Sequence, residues 1–182
     1  MTVNPITIIT DSTCDIPALW RTQFNIITVP LTIVWGDQQY LDGVDMAHEQ
    51  FYEGLPHFDH HPTTSVPGPG QLVQEYERLA AAGATAIISI HIGSALSAMV
   101  GVARLAAQET QKVPVSVFDS GQLTLGSGLL ALTAARAAAE GQVLDDILAT
   151  LEDPAVGIAD TLDQGRPGGG NLPFGRSTDS PC

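Results

Sequence analysis

Short apolar runs alternate along this chain with longer segments of helical character. The runs Ile6 to Thr10, Ala86 to Ile90 and Val113 to Ser120 are rich in β-branched residues, which favour strands. Each run is followed by a more polar loop and then by a stretch with helical spacing. This alternation is typical of an α/β fold, and we predict a largely parallel sheet flanked by helices.

The helical segments are recognised by their period. Apolar residues recur every three or four positions from Leu72 to Ala80, and Gly83 supplies a stop signal. The pattern therefore predicts a helix that ends just before Gly83. Further helices are predicted at 46–55, at 97–110 and in the Ala-rich segment 125–142.

Proline and glycine interrupt the remaining stretches. Ile26 to Trp35 resembles a strand but contains Pro30, which cannot donate to a ladder and so predicts an edge or a bend. Residues 36–45 are expected to turn the chain. Residues 56–70, PHFDHHPTTSVPGPG, are so rich in Pro and Gly that we predict an irregular loop, and loops of that length are often functional.

Composition narrows the class of protein. The chain has 182 residues, 44% of them hydrophobic, which suits one packed domain rather than a disordered chain. Its formal net charge of -13 repels phosphate backbones and anionic lipid, so nucleic acid is a poor partner. The sequence contains no long apolar run and only two cysteines, Cys14 and Cys182. We expect a cytoplasmic protein.

Three hydroxyl-rich loops lie at or near the predicted carboxyl ends of strands, where open α/β sheets bind ligands. They are TDSTCD, TTSVPGPG and GSALSA. Their hydroxyl residues are Ser12, Thr13, Thr63, Thr64, Ser65, Ser94 and Ser97. Because the loops contain no Lys or Arg, they suit a carboxylate or a small polar head better than a triphosphate. Each hydroxyl taken alone could equally cap a helix.

Other reactive side chains have simpler explanations. His91, at a strand end, could act as an acid or base, but such a histidine is more often packed or hydrogen-bonded. Cys14 has no evident base beside it. The segment HFDHH, 57–61, could surround Zn²⁺ but lacks the helical spacing that orders ligands. We expect no metal and no cofactor.

Five stretches, taken together and in this order, resemble the DegV family of bacterial fatty-acid-binding proteins. They are IITDSTCDIP, ITVPLTIVWGDQQYLDGVDM, TTSVPGPGQL, IISIHIGSALSAMVGVA and VSVFDSGQLTLGSGLLALTAARAAAEG. The likeness runs from about Ile6 to Leu151. Proteins of this family have two domains, and the resemblance implies that this chain supplies the first, an α/β lipid-binding domain over 1–155.

The resemblance also implies a function and a site. A long-chain fatty acid would be bound with its carboxylate at a T-S-x-P stretch and an L-S-G-T stretch, and presented to a separate fatty acid kinase for phospholipid synthesis. The stretch TSVP carries over Thr64 with Ser65 beside it, and LSAM carries over Ser97. Ala98 replaces the family's usual Gly, so its amide remains while its Cβ narrows the site. The protein itself would be a non-catalytic subunit.

The similarity stops near residue 155. The stretch IADTLDQGRPGGG begins like the family's crossing into a second domain and continues as a Gly- and Pro-rich tail. We expect 156–182 to be irregular and the second domain to be missing, through a shifted reading frame or a truncated gene. An apolar face without its partner domain would favour self-association.

Two other hypotheses remain open. One is an enzyme on a related scaffold, similar to dihydroxyacetone kinases or phosphotransferases, that uses His91 as a covalent or acid-base residue. The absence of a nucleotide-binding motif in the sequence counts against it. The other is a truncated remnant that folds without binding a ligand.

Overall fold

The computed structural model describes residues 5–58, 60–153 and 156, which form seven strands and six α-helices. The strands are β1 Ile6–Asp11, β2 Ile27–Val29, β3 Thr32–Trp35, β4 Gln38–Leu41, β5 Thr63–Ser65, β6 Ala86–His91 and β7 Val115–Asp119. The helices are α1 Ala18–Gln23, α2 His48–Gly54, α3 Pro69–Ala81, α4 Met99–Glu109, α5 Leu125–Ala139 and α6 Leu144–Glu152.

Four strands form a parallel sheet in the order β2-β1-β6-β7. Every residue of β1 and β6 is buried, as expected for strands at the centre of a parallel sheet that is covered on both faces. The prediction of an α/β domain with a largely parallel sheet is therefore confirmed. Its carboxyl edge carries the loops that follow β1, β6 and β7.

Helices cover both faces of this sheet and divide the core in two. On one face, Ile8 and Ile88 pack against α5 and α6, with Trp20 of α1 at the margin. On the other face, Ile9 and Ile87 pack against α3 and α4. Alternate residues of the same strand thus enter different clusters, because neighbouring side chains on a strand point to opposite faces.

A second, antiparallel sheet has the order β4-β3-β5. The predicted bend at Pro30 is where the chain passes between the sheets. β2 ends just before Pro30 as the edge of the parallel sheet, and β3 begins two residues later as the centre of the other. The single strand-like run of the sequence therefore belongs to two sheets.

The second sheet also corrects two predictions. Residues 36–45 turn the chain only in part, since β4 forms a hairpin with β3. Residues 56–70 are not wholly irregular, since Thr64 pairs with Ile33 in β5. Both polar segments become strands because β3 offers them backbone partners, which local sequence does not reveal. The predicted tail, 156–182, lies outside the described residues except for Val156.

Helix α5 lies very close to the loop that follows β1. A Cβ atom at Gly128 would stand 2.1 Å from the carbonyl oxygen of Cys14 and 2.9 Å from a side-chain carbon of Ile16. Only glycine permits this approach. The contact fixes α5 against residues 12–16 and so helps to place the hydroxyl groups of that loop.

Candidate functional site

A small cavity of about 200 Å³ lies beyond the carboxyl end of β1. Its polar wall carries the hydroxyl residues Ser12, Thr13, Thr63 and Thr64. Its apolar wall carries Ile33, Phe51, Tyr52 and Pro62, and Asp15, Asp42 and His48 complete the lining. The parallel sheet supplies the first loop of this wall, and the antiparallel sheet with α2 supplies the rest. The cavity can receive a group that is polar at one end and apolar at the other.

The Ser12–Thr13 loop is held by hydrogen bonds that begin at Asp11. One carboxylate oxygen of Asp11 accepts from the Thr13 amide at 3.1 Å and from the Thr13 hydroxyl. The Ser12 hydroxyl accepts from the Leu31 amide at 3.1 Å, which ties the loop to the start of the second sheet. Ser12 keeps its own hydrogen for a further acceptor.

Thr64 and Ser65 lie on β5, where they pair with Ile33 and Thr32. Thr64 lines the small cavity, whereas Ser65 does not. Both side chains are exposed. The structure therefore brings Thr64 together with Ser12 and Thr13 and leaves Ser65 outside the lining of the cavity.

Ser97 and Ala98 lie in the loop between β6 and α4, outside the lining of the small cavity. The Ser97 hydroxyl accepts from the Met99 amide at 3.2 Å, so it sits at the start of α4 with its own hydrogen free to donate. Ala98 is exposed and precedes the first residue of that helix.

Asp119 clamps this loop from the end of β7. A single carboxylate oxygen accepts from the Ser94 amide at 3.0 Å and from the Gly121 amide at 3.1 Å. Hydrogen bonding from the Ser94 side chain holds the pKa of Asp119 below its usual range, with smaller help from the amides of Ser94 and Gly121 and the charge of Arg104. The Gly93 amide also donates to the backbone carbonyl of Gln122 at 2.9 Å. Two neighbouring loops are thus fixed to each other.

Backbone strain lies in the second of these loops. Thr124 has φ 54° and ψ -135°, a region that glycine adopts readily and a β-branched residue adopts at a cost. It directly precedes α5 and is flanked by the exposed side chains of Leu123 and Leu125. Strain of this kind is worth about 1 to 3 kcal/mol.

A row of buried, hydrogen-bonded polar side chains runs from α3 over β6 to β1, beneath the loops. Tyr76 lies 2.8 Å from Ser89, Ser89 lies 2.7 Å from Nε2 of His91, and Nδ1 of His91 lies 2.9 Å from Asp11. The second oxygen of Asp11 also accepts from the Ile92 amide at 3.1 Å. All four side chains are 0 or 1% exposed. Sequence analysis identified His91 but not its hydrogen-bond partners.

Burial alone would raise the pKa of Asp11, but the hydrogen bond and charge of His91, with hydrogen bonds from Thr13 and Ile92, bring it below its usual range. In contrast, burial raises the pKa of the Cys14 thiol. Cys14 is therefore held as a neutral thiol, which is the opposite of what an attacking cysteine requires.

A larger cavity of about 730 Å³ adjoins the small one. The two share Ser12, Asp15, Asp42, His48 and Tyr52 in their linings. The larger cavity alone reaches Arg21 and Thr28, on α1 and β2.

The histidine-rich segment that follows α2 lies elsewhere, and within the described residues no group of three or more His, Cys, Asp or Glu could hold a metal ion. No described helix has the length and apolar character needed to cross a membrane.

These features define a class of protein: an α/β module with adjoining cavities at the carboxyl edge of a parallel sheet, lined by hydroxyl and apolar groups. Comparison with known proteins makes the class specific. The family model described as "Uncharacterised protein, DegV family" matches residues 5–157. The chain belongs to the DegV family.

Individual relatives agree. A DegV domain-containing protein of Streptomyces coelicolor is 36% identical over 170 residues, which cover 90% of this chain and 59% of that protein. Protein DegV of Bacillus subtilis is 35% identical over 149 residues, covering 81% of this chain and 53% of the relative. The chain thus spans between about half and three fifths of the length of these relatives.

Solved structures show the same fold. The crystal structure of DegV from Bacillus subtilis, described as a fatty acid binding protein, matches with a TM-score of 0.78 at 35% identity, over 81% of this chain and 52% of that one. A DegV family protein from Thermus thermophilus, described by its fatty acid binding, matches with a TM-score of 0.74 at 35% identity and the same coverage.

Proposed function

We propose that this chain is a fatty-acid-binding module that holds the carboxylate of a long-chain fatty acid at its hydroxyl-rich loops. The observation that carries the proposal is the small cavity, in which Thr64, Ser12 and Thr13 face the apolar side chains of Ile33 and Phe51. A fatty acid has the same division between a polar head and an apolar chain. The fatty-acid-binding descriptions of the Bacillus and Thermus structures support the same ligand class.

Thr64 would bind the head group from the small cavity. Ser65, Ser97 and the Ala98 amide lie outside the lining of that cavity, and their part in binding is proposed from the family resemblance. Ser97 supports this role because its hydroxyl hydrogen is free and lies beside the first amides of α4. Hydrogen bonds of this kind to a carboxylate are worth about 1.5 to 3 kcal/mol each. Compared with glycine, the Cβ of Ala98 leaves less room, which favours a small head group.

The acyl chain would supply most of the affinity, since each buried CH₂ contributes about 0.8 kcal/mol. A water-sized group occupies about 30 Å³, so the small cavity, at about 200 Å³, has room for the head and the first few methylene groups. The rest of a long chain would extend beyond it along the protein surface or against further protein.

We infer that the module is not itself a catalyst. Ser89, His91 and Asp11 lie in hydrogen-bonding order, as they would in a hydrolase. Yet the Ser89 hydroxyl also contacts Tyr76 and is sealed from solvent, so a substrate has no access to it. Presentation of the bound acid to a separate fatty acid kinase, which would form an acyl phosphate, therefore completes the proposed role.

The proposed surroundings of the module follow from this role. A partner that phosphorylates the carboxylate must reach the carboxyl edge of the sheet, where Leu96 and Leu123 are 61% and 48% exposed. The same exposed side chains favour self-association when no partner covers them. The domain boundary at residue 155 and the cytoplasmic location stay predictions.

The experiment is native mass spectrometry of the purified chain, followed by denaturing extraction of any bound acid and by titration with oleate. We expect one fatty acid per chain. Thr64→Ala with Ser97→Ala should weaken oleate binding at least tenfold, which is about 1.4 kcal/mol. The matched control removes two hydroxyls that bond only within helices, Thr22→Ala with Thr150→Ala.

A folded chain that carries no fatty acid and does not bind oleate would contradict the proposal and favour a remnant without binding activity. Equal loss of binding in the control variant would contradict the assigned head-group residues. The kinase step is checked separately, by adding a fatty acid kinase subunit with ATP and measuring acyl phosphate.

A further inference from the structure

Arg21 differs from three other basic side chains that the structure describes. Arg78 and Lys112 form ion pairs with Glu75 and Glu77, and Arg136 lies over the ring of Phe24. Arg21 makes one long hydrogen bond, 3.4 Å from Nη1 to the Thr28 hydroxyl. Its Nε is buried and has no hydrogen-bond partner among the described residues. A guanidinium that lacks acceptors is costly, and it gains energy from any acceptor that reaches it.

A second unsatisfied atom lies close to the same place. Thr10 Oγ1 is the other buried side-chain N or O atom without a partner within the described part of the chain. Thr10 of β1 stands in register with Thr28 of β2, and register partners on adjacent strands point to the same face. Thr10 and Thr28, the hydrogen-bond partner of Arg21, therefore point to the same face of the sheet.

Arg21, Thr28 and Ser12 all line the larger cavity, whereas Thr10 does not. Each of the three can donate a hydrogen bond to a ligand. Thr28 accepts from Arg21 and Ser12 accepts from the Leu31 amide, so both hydroxyls retain their own hydrogens. A wall that offers donors and a positive charge fits a ligand group that only accepts, such as a carboxylate.

The remaining lining limits the charge and shape of the ligand. Ile16, Val44 and Tyr52 provide apolar surface, so the body of the ligand is apolar. Asp42 and Glu49 line the same cavity and repel a dianion such as phosphate more strongly than a monoanion. The volume, about 730 Å³, exceeds that of a six-carbon acid several times, given about 30 Å³ for a water-sized group.

We propose that the larger cavity is a second ligand site, in which Arg21 with Thr28 and Ser12 binds the carboxylate of a small apolar monocarboxylic acid. The site adjoins the fatty-acid head-group site and shares Ser12 with it. Arg21 and Thr28 line only the larger cavity and Thr64 lines only the smaller one, which distinguishes the two sites.

The test uses the full chain and sodium hexanoate, titrated while backbone amide signals are followed by NMR. Hexanoate should bind in the millimolar range and shift the amides of Thr28 and Val44. Arg21→Gln should weaken binding at least tenfold, since a charged, forked donor is lost. Arg104→Gln, which removes an exposed arginine of α4 that lines neither cavity, should not change it. Inorganic phosphate should bind at least tenfold more weakly than hexanoate.

Thermal unfolding separates a binding defect from a folding defect, and Arg21→Lys provides a milder variant that keeps the charge and loses the fork. We expect Arg21→Lys to fold like the wild type and to bind hexanoate several-fold more weakly. Equal binding by wild type and folded Arg21→Gln, no binding by the wild type, or shifts confined to the surroundings of Thr64 would each overturn the proposal. So would phosphate binding as tight as that of hexanoate.

Discussion

The Asp11 carboxylate lies 2.9 Å from Nδ1 of His91, and neither side chain is more than 1% exposed. Because a carboxylate only accepts, Nδ1 carries the hydrogen. Nε2 of His91 lies 2.7 Å from the Ser89 hydroxyl, which lies 2.8 Å from the Tyr76 hydroxyl, so hydrogen bonds link all four side chains. The pair joins the carboxyl ends of β1 and β6, from which two of the hydroxyl-rich loops begin.

This pair predicts a loss of stability in acid. The pKa of Asp11 is lower in the folded protein than the unfolded value of about 3.9. Its contribution to the free energy of unfolding is therefore fully present above that value and is lost as pH falls through the lower, folded pKa. Asp11→Asn should lower the free energy of unfolding at pH 7 by about 2 to 4 kcal/mol, because an amide NH₂ would face hydrogen-bond donors. The free energy of unfolding of this variant should also fall less steeply as the pH is lowered.

Urea unfolding at neutral and acid pH measures both effects. Asp15→Asn is the matched control, since Asp15 is exposed and its left-handed φ of 50° suits asparagine equally well. It should change the free energy of unfolding by less than about 0.5 kcal/mol. An Asp11→Asn protein with wild-type stability and an unchanged loss of stability in acid would show that the pair is unimportant.

The close approach of Gly128 to Cys14 predicts that replacing glycine by alanine lowers the free energy of unfolding at Gly128 but raises it at Gly101. Gly128→Ala puts a methyl group 2.1 Å from the Cys14 carbonyl oxygen and should lower the free energy of unfolding by about 3 kcal/mol or more. Gly101→Ala, at an exposed position of helix α4 with no atom within 4 Å of the new Cβ, should raise it by about 0.5 to 1 kcal/mol. Denaturant titration compares them, and equal effects would refute the close approach.

The Asp119 clamp predicts that an uncharged acceptor can replace the carboxylate. Asp119→Asn keeps an oxygen for the amides of Ser94 and Gly121, whereas Asp119→Ala leaves both without it. Hydrogen exchange of these two amides should therefore accelerate roughly tenfold in the Ala variant, which corresponds to about 1.4 kcal/mol, and little in the Asn variant. Acceleration in both variants alike would mean that charge, and not hydrogen bonding, fixes the loop.

Thr124 provides a test of stored strain. Thr124→Gly should raise the free energy of unfolding by about 1 kcal/mol, because glycine adopts φ 54° and ψ -135° without steric cost. Thr124→Ala retains the Cβ and should gain less. Thermal unfolding of the two variants measures the difference. A glycine variant no more stable than the alanine variant would show that the backbone at this position is relaxed.

Local sequence patterns predicted the parallel sheet because its central strands consist largely of apolar, β-branched residues. Ile6 to Thr10 and Ala86 to Ile90 are buried on both faces, so their β-branched character is sufficient to identify them. β4 and β5 are largely exposed and polar, and they are strands only because both pair with β3. Helix α6 was not predicted at all, although Ile147 and Leu151 fix it to the core.

The candidate site shows the same division. The position of the hydroxyl loops follows from the rule that ligands bind at carboxyl ends of strands, and Ser12, Thr13 and Thr64 do line one cavity. That Ser97 lies outside this lining depends on the path of two loops, which sequence does not reveal. The partners of His91 were also hidden, because Asp11 is 80 residues away along the chain. Polar residues at alternate positions of a buried strand, Ser89 and His91, were the signal that could have revealed them.

Pro30 separates two parts of the molecule that have different structural roles. From Leu31 to Val66 the chain leaves the parallel sheet, builds the second sheet with α2, and returns to begin α3. This excursion provides Thr64, Phe51 and Tyr52, while the parallel sheet holds the main core. Substitutions in the excursion can therefore reshape one wall of each cavity without disturbing the nucleus of the fold. The walls of the cavities and the main core are thus built by different segments of the chain.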